Sequence, residues 1–169
     1  ADSRRILLSL TALALIGLEE YSEAAARLEE LANADDAGGL EPRAIYLAQA
    51  GNAWLLAFAP EAALVAFTNA VKLAPRDAQI RKAVGRAYLM MGEWTKAGEA
   101  LDIAVELSPG DAETHRFRAI ALKELGRLEE AWRDIEASIS IDPRNVDTLV
   151  LRGDVREAMR LKGMDDPTA

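Results

Sequence analysis

Small and apolar residues recur through the middle of the chain in two alternating stripes. In the repeating units that begin at Ala44, Ala78 and Ala112, the first stripe occupies the fourth, seventh, eighth and eleventh places. The second stripe occupies the twentieth, twenty-fourth and twenty-seventh places. Spacings of three and four residues place side chains on one face of an α-helix. Each unit is therefore predicted to be a pair of helices whose apolar stripes face each other.

The same kinds of residue fill the same places in all three units. The recurring residues are Gly51, Gly85 and Ala119 at the eighth place, Trp54, Tyr88 and Leu122 at the eleventh, Ala63, Ala97 and Ala131 at the twentieth, and Phe67, Leu101 and Ile135 at the twenty-fourth. A fixed period between 20 and 50 residues indicates stacked supersecondary units and not one closed core.

Helix-breaking and helix-capping residues recur with the same period. Proline ends a helix because it lacks the backbone N–H and clashes with the preceding turn. An Asp or Asn two residues later is a good N-cap for the next helix and contributes roughly 1 kcal/mol. The prolines are Pro75, Pro109 and Pro143, and the predicted N-caps are Asp77, Asp111 and Asn145. Within the units, Gly92 and Gly126 are predicted to separate the two helices.

This pattern resembles the tetratricopeptide repeat, an antiparallel helix pair with the same period. The resemblance is carried most fully by "GRAYLMMGEWTKAGEALDIAVELSP" at residues 85–109, and it covers three units between residues 44 and 145. Arg118, Ala119 and Phe58 depart from the family's pattern at single places. The resemblance implies an all-α fold, a right-handed α-solenoid of stacked helix pairs.

The ends of the chain depart from the regular period. We predict a degenerate N-terminal helix pair over residues 1–34, with "GLEEYSE" as a longer hairpin than the others, and a linker over residues 35–43. Three repeat units then span residues 44–77, 78–111 and 112–145. A capping helix follows at residues 146–162, because Arg152 and Arg156 replace mostly apolar residues there. Residues 163–169 form a predicted tail.

Composition and charge exclude several classes of function. The formal net charge of −8 argues against sequence-independent nucleic-acid binding, which needs Lys and Arg to neutralise phosphates. The chain has no Cys, so it has no disulfide, thiolate metal site or Cys nucleophile. Its single His, His115, lies on a packing stripe, and no Gly-rich phosphate loop or HExxH motif occurs. We therefore predict a protein that is not an enzyme and carries no cofactor or metal.

Other residue types have structural interpretations. Glu19, Glu20, Glu23, Glu29 and Glu30 are interpreted as a solvated helix face, and the three tryptophans as core residues. Residues 3–18 have the basic and apolar regions of a signal peptide, but they also fit the helical pattern, which is favoured. Their apolar run is too short to span a membrane. A soluble protein is expected, with the cytoplasm and the periplasm left open.

The resemblance implies a function for the concave side of the solenoid. In this family the first helices of the pairs line that side and bind peptides, through the second, fifth, sixth, ninth, twelfth and thirteenth places. The implied binding residues are Gln49, Asn52, Leu56, Gln79, Lys82, Arg86, Met90, Arg116, Phe117 and Ile120. The expected function is a protein-interaction module that binds a peptide or protein segment, as a scaffold, adaptor or co-chaperone-like factor.

The charges on this face are uneven. Lys82, Arg86 and Arg116 form a candidate site for an acidic stretch of a partner, while Glu113 and Asp147 offer the alternative that they neutralise these cations. Some family members hold a C-terminal carboxylate with a set of Lys, Asn and Arg residues. Around Asn52 the partner places of that set hold Ala48, Ala83, Glu113 and Phe117, so capture of that kind is disfavoured.

The predicted first helix is apolar on nearly every side and must be covered by something. Packing against the next helices of the same chain, self-association and contact with an upstream segment all remain open. The candidate self-association residues are Leu7, Leu10, Leu13 and Ile16. A self-assembling scaffold is therefore an alternative function. An accessory domain of a larger protein is another, because residue 1 is Ala and not Met.

Overall fold

The structure, a computed structural model, describes residues 2–34 and 40–164. These residues form nine α-helices and no strand. The helices are α1 (Asp2–Gly17), α2 (Tyr21–Asn33), α3 (Leu40–Leu56), α4 (Pro60–Leu73), α5 (Ala78–Met90), α6 (Trp94–Leu107), α7 (Ala112–Glu124), α8 (Leu128–Ile141) and α9 (Val146–Leu161). The predicted all-α class is confirmed.

Each helix packs against the helices before and after it in the chain. We call α1, α3, α5, α7 and α9 the first helices, and α2, α4, α6 and α8 the second helices. In addition, α3 contacts α5, α5 contacts α7, and α7 contacts α9, so these first helices lie side by side. Stacked pairs of this kind form a solenoid in which each unit contacts only its neighbours, as the fixed period of the sequence predicts.

Small residues allow the two helices of a pair to approach closely. A Cβ atom added to Gly51 would lie only 2.5 Å from Cε1 of Phe67, and one added to Gly85 would overlap the Leu101 side chain. Phe67 and Leu101 are fully buried. The backbone of each first helix therefore packs directly on a large side chain of its second helix, which only glycine permits at this distance.

The first helices begin at the predicted caps. The Asp77 carboxylate accepts hydrogen bonds from the backbone N–H groups of Gln79 and Ile80, at 2.8 and 3.1 Å. Asp111 accepts them from Glu113 and Thr114 at 3.0 and 3.4 Å, and Asn145 accepts one from Thr148 at 3.1 Å. These oxygens satisfy N–H groups that have no partner inside the helix.

The turns inside the four helix pairs share one conformation. Three residues separate the helices of every pair, and the middle residue has a positive φ. The middle residues are Glu19 (φ 62°), Phe58 (φ 56°), Gly92 (φ 71°) and Gly126 (φ 75°). The prediction of a longer first hairpin is therefore wrong. Glu19 takes the place of glycine there, because packing of α1 on α2 imposes the same tight turn.

The boundary of the predicted linker also needs correction. Helix α3 begins at Leu40, so it includes the last four positions of the 35–43 stretch. Pro42 lies in the first turn, where the N–H that proline lacks would have no helical partner. Residues 35–39 of the linker, and residues 165–169 of the predicted tail, lie outside the described part of the chain.

A buried polar network joins α7 to α8. The Arg118 guanidinium donates two hydrogen bonds of 2.6 Å to the Asp134 carboxylate, which is almost fully buried. The His115 ring lies between Asp134 Oδ1, at 2.9 Å from Nδ1, and the carbonyl oxygen of Pro109, at 3.0 Å from Nε2. Arg118 stands at a usually apolar place because it neutralises this carboxylate, since a buried charge needs both a partner and hydrogen bonds.

Replacing Phe58 by glycine is expected to stabilise the protein. A left-handed conformation is unfavourable for a residue with a Cβ atom, and Phe58 is 86% exposed, so its side chain adds little packing. We expect Phe58→Gly to raise the free energy of unfolding by about 1 kcal/mol, measured by chemical denaturation. Phe58→Ala removes the ring but keeps the strain and is the control. Equal stability of the two variants would contradict this interpretation.

Candidate functional site

A groove lined by first helices contains two adjoining pockets. The larger pocket, which we call the apolar cleft, has a volume of about 430 Å³. It lies between α1 and α3, and its wall is predominantly apolar. Its lining residues are Ser9, Ala12, Leu13, Ile16, Leu28, Tyr46, Gln49, Asn52, Ala53 and Leu56.

The apolar cleft exists because α1 is set further from α3 than the later first helices are from each other. The backbones of α1 and α3 approach each other at fewer positions than do those of α3 and α5 or of α5 and α7. Six residues separate α2 from α3, whereas four residues separate α4 from α5 and α6 from α7. The small residues Ala12 and Ala53 leave the space between the two helices unfilled. The irregular spacing at the front of the array therefore opens a cavity.

The smaller pocket, which we call the polar recess, has a volume of about 210 Å³ and lies where α3, α5 and α7 meet. Its lining residues are Asn52, Gln79, Lys82, Ala83, Arg86, Glu113 and Phe117. Asn52 lines both pockets, so the apolar cleft continues directly into the polar recess.

Lys82 is neutralised within the protein. Its ammonium group lies 2.9 Å from Asp111 Oδ2 and 2.8 Å from Glu113 Oε2. Burial acts against the charge of Lys82, but the hydrogen bonds that its ammonium donates to these two carboxylates outweigh it and raise the pKa of the ammonium. Burial likewise acts to raise the pKa of Asp111, but Lys82, Gln79 and Thr114 outweigh it and lower that pKa to about 2. The pair is therefore fully ionised at neutral pH.

Arg116 is also paired, though more loosely. Its guanidinium lies 3.5 Å from Glu113 Oε1 and 3.6 Å from Asp147 Oδ2. The same guanidinium stacks on the Phe117 ring, with its central carbon 4.8 Å from the ring centroid. Glu113 and Asp147 therefore contact the cations that they were proposed to neutralise.

Arg86 differs from both. It donates one hydrogen bond of 2.9 Å from Nη2 to the side-chain oxygen of Asn52. Among the described residues, no ion pair joins Arg86 to a carboxylate, whereas its buried Nε lacks a hydrogen-bond partner just as that of Arg116 does. Burial lowers the pKa of this guanidinium below its ordinary value, and the more distant Glu113 offsets only part of that effect.

Some of the residues predicted for binding line the apolar cleft, some line the polar recess, and some line neither pocket. Gln49, Asn52 and Leu56 line the apolar cleft, together with Leu13 and Ile16 from the candidate self-association set. Gln79, Lys82, Arg86 and Phe117 line the polar recess with Asn52. The remaining predicted residues, Met90, Arg116, Ile120, Leu7 and Leu10, are absent from both linings; Met90 is exposed and Ile120 packs beside Phe117.

Sequence reasoning missed two features of this region. Tyr46 and Ser9 line the apolar cleft but were not among the predicted residues, although Ser9 stands at the fifth place of its unit, which is associated with binding. Glu29, interpreted as part of a solvated face, accepts a 2.9 Å hydrogen bond from the indole N–H of Trp54. A buried indole usually finds such a partner, but the spacing of 25 residues gives no local signal for it.

Residues 2–34 and 40–164 lack two further kinds of functional feature. They contain no group of three or more His, Cys, Asp or Glu side chains that could hold a metal ion. None of their helices combines the length and apolar character that crossing a bilayer requires. The linings of the apolar cleft and the polar recess provide hydrogen-bonding groups, charges and an apolar wall, and this combination suits the binding of another molecule.

Stacked helix pairs with an open groove along their first helices define a helical-repeat protein. Residues 55–121 match the family model of the tetratricopeptide repeat. The fold is shared with MamA from RS-1, in its ArsTM double mutant, at a TM-score of 0.82 and 19% identity, covering 98% of this chain and 88% of that one. Over residues 55–121 the chain is therefore similar to the tetratricopeptide repeat family.

Two solved domains of RPAP3 have the same fold over a shorter stretch. The first domain of Spaghetti (RPAP3), bound to the HSP90 peptide SRMEEVD, has a TM-score of 0.69 at 21% identity and covers 71% of this chain and 95% of that one. The second domain of human RPAP3, in complex with the HSP70 peptide SGPTIEEVD, has a TM-score of 0.66 at 22% identity, covering 69% and 98%. A search of curated protein sequences found no match.

The ion pair at the polar recess predicts how stability changes in acid. The pKa of Asp111 is lower in the folded protein than its ordinary value of 3.8, so the unfolded chain takes up the proton first. Its contribution is complete above about pH 4 and is lost as the pH falls towards 2, amounting to roughly 2 kcal/mol. We expect Asp111→Asn, which keeps an N-cap, to show a shallower loss of stability over this range in urea denaturation.

Lys82→Met tests the same ion pair from its other side. Without the ammonium, the Asp111 carboxylate loses the partner that lowers its pKa. Its acid-induced loss of stability should therefore also be smaller than in the wild-type protein. Acid profiles of both variants that parallel the wild type would show that this pair contributes little.

Proposed function

We propose that the groove binds an extended segment of another protein and places an apolar side chain of that segment in the apolar cleft. The binding requires no catalytic step. The observation that carries this proposal is the cleft itself, an open cavity of about 430 Å³ whose wall is mostly apolar. Pockets of this size with an apolar wall and a few convergent polar groups are typical of binding sites.

The position of the cleft also supports this proposal. Leu13, on α1, is 66% exposed and faces Leu56, on α3, which is 50% exposed. Exposed aliphatic side chains that face each other across a cavity gain free energy when a ligand removes them from water. Gln49 and Asn52 lie beside them and can hydrogen-bond the backbone of a bound segment.

The structural neighbours support peptides as the class of ligand. Two domains of this fold were solved with short peptides from HSP90 and HSP70 whose sequences end in EEVD. At about 20% identity this likeness concerns the fold, and recognition depends on the residues that line each groove. A scaffold or adaptor function follows directly from segment binding. A co-chaperone-like function is one instance of it and requires a chaperone peptide as the ligand.

Glutamate substitutions at two residues of nearly equal exposure test the proposal. Peptides are first selected by phage display on the wild-type protein. We expect them to bind the Leu13→Glu variant at least tenfold more weakly than the wild type, because the substitution places a charge in the apolar cleft. Val65→Glu, at a residue of α4 with 64% exposure against 66% for Leu13, should leave affinity unchanged. Titration calorimetry gives the affinities. Equal losses in both variants, or none, would refute binding in the apolar cleft.

A second function is suggested by an exposed apolar face of α1. The third, sixth and tenth places of α5, α7 and α9 are buried against the preceding second helix; these residues are Ile80, Ala83, Ala87, Thr114, Phe117, Ala121, Thr148, Leu151 and Val155. Counted back from the turns that follow α1, α5 and α7, the equivalent places of α1 hold Leu7, Leu10 and Ala14, which are exposed. We propose that a second copy of the chain covers this face, which makes the protein a self-assembling scaffold.

Charge supports a second copy as the partner of this face. From Ile6 to Leu18 the chain has no charged residue, so two copies can bring their α1 helices together without like-charge contact despite a net charge of −8. In a dimer with two-fold symmetry, both subunits contribute the same face to the contact. Because it involves little more than one helix per subunit, the dimer is expected to be weak compared with standard interfaces of about 800 Å² per partner.

The dimer can be tested by sedimentation equilibrium across a concentration series. We expect the wild-type protein to associate with a dissociation constant in the micromolar range, and the double variant Leu7→Glu/Leu10→Glu to remain monomeric. Leu161→Glu, at an exposed leucine of α9, is the control and should associate like the wild type. A monomeric wild-type protein at all concentrations would rule out self-assembly through α1.

A further inference from the structure

The three cations of the groove differ in how they are compensated. Lys82 and Arg116 each lie within 4 Å of two carboxylates. Arg86 lies in the wall of the polar recess, and within the described residues only the neutral Asn52 side chain accepts a hydrogen bond from it. The acidic side chains at this end of the groove therefore leave one guanidinium without a counter-charge.

An uncompensated cation of this kind is unfavourable in the free protein. Partial burial removes water from the guanidinium, and a neutral amide oxygen returns only part of the lost solvation. The Nε–H groups of Arg86 and Arg116 are both buried and unsatisfied, so the missing carboxylate partner is what distinguishes Arg86. The recess beside it has room for a small polar group, with a volume of about 210 Å³. A bound anion would supply the charge that the protein itself does not.

We propose that Arg86, oriented by Asn52, binds a single carboxylate of the ligand segment whose apolar side chain occupies the apolar cleft. This inference rests on the proposed function and specifies its ligand. A guanidinium suits a carboxylate because two of its N–H groups can donate in parallel to the two carboxylate oxygens. Asn52 lines both pockets, so the two ligand groups are neighbours along one segment.

The acidic neighbours of Arg86 limit the ligand to one such group. Asp111 and Glu113 already neutralise Lys82, and Asp147 lies against Arg116. A run of carboxylates would bring negative charge against these three residues, and like charges repel. The expectation of an acidic stretch that meets all three cations is therefore replaced by one carboxylate at Arg86.

The spacing of the two groups in the ligand follows from helix packing. Neighbouring packed helices have axes about 8–10 Å apart. An extended chain advances about 3.3 Å per residue. The apolar side chain and the carboxylate are therefore expected about two or three residues apart. The carboxylate can come from an Asp or Glu side chain or from the C-terminus of the segment.

The first experiment needs no ligand. Arg86→Met keeps the aliphatic length of the side chain and removes the uncompensated charge, so the melting temperature should stay equal to that of the wild type or rise. Lys82→Met is the matched control, and its melting temperature should fall because Asp111 and Glu113 lose their partner. If Arg86→Met lowers the melting temperature as much as Lys82→Met does, Arg86 is compensated in the free protein and the proposal is overturned.

The second experiment uses synthetic peptides with one leucine and one glutamate separated by one to three alanines, acetylated and amidated at their ends. In the best spacing, the glutamate peptide should bind the wild-type protein at least tenfold more tightly than its glutamine counterpart, equivalent to about 1.4 kcal/mol. Arg86→Met should abolish this difference between the glutamate and glutamine peptides. A leucine peptide with a free C-terminal carboxylate distinguishes a terminal source from a side-chain source.

The outcomes separate this inference from the proposed function. Glutamate and glutamine peptides that bind equally, with both affinities reduced in Leu13→Glu, would refute the carboxylate at Arg86 and leave segment binding in the groove intact. A preference for glutamate that persists in Arg86→Met would also refute it. Failure of every peptide, including the free-acid form, to bind the wild-type protein would contradict the ligand inferred here, while peptides from phage display independently test the groove.

Discussion

The contact between a glycine of the first helix and a large side chain of the second is the constraint on which the rest of this structure depends. At Gly51 and Gly85 there is no room for a Cβ atom, because Phe67 and Leu101 pack against the helix backbone itself. Such direct packing sets the distance between the helices of a pair. Repeated from one unit to the next, it gives the pairs the same shape, and pairs of the same shape stack so that the first helices lie side by side and line a groove.

The residues that cap the first helices also determine the charge of that groove. Asp111 accepts the backbone N–H groups that begin α7 and also lies 2.9 Å from the Lys82 ammonium. A residue that begins one helix thus neutralises a cation on the helix before it. Arg86 lies one helical turn beyond Lys82, and its hydrogen-bond partner is Asn52 on α3. One turn of helix therefore separates a compensated cation from one that is open to a ligand.

The buried network of α7 and α8 shows what complete compensation of an arginine looks like in the same protein. Arg118 departs from the apolar residue usual at its place, yet it contacts Asp134 through two short hydrogen bonds and also lies 3.0 Å from Asp102. His115 is a second polar partner of Asp134 and gives its carboxylate a third hydrogen-bonding contact. Within one repeat of each other, Arg118 and Arg86 thus have opposite environments, which supports a structural role for the first and a binding role for the second.

The repeat period, the helix pairs, the caps at Asp77, Asp111 and Asn145, and many residues of the groove wall were determined by the sequence alone, because spacing along a helix and the preferences of proline, glycine and Asp act locally. The turns at Glu19 and Phe58 could not be predicted in this way, since packing of the two helices imposes a conformation that neither residue favours. The apolar cleft also arose only in the tertiary structure, from the wider separation of α1 and α3. The same holds for the pairing of Lys82 with Asp111 and of Arg86 with Asn52, residues 29 and 34 apart. The period of 34 residues places Asn52 and Arg86 at the same place of consecutive units, but which side chains then pair depends on how neighbouring pairs stack.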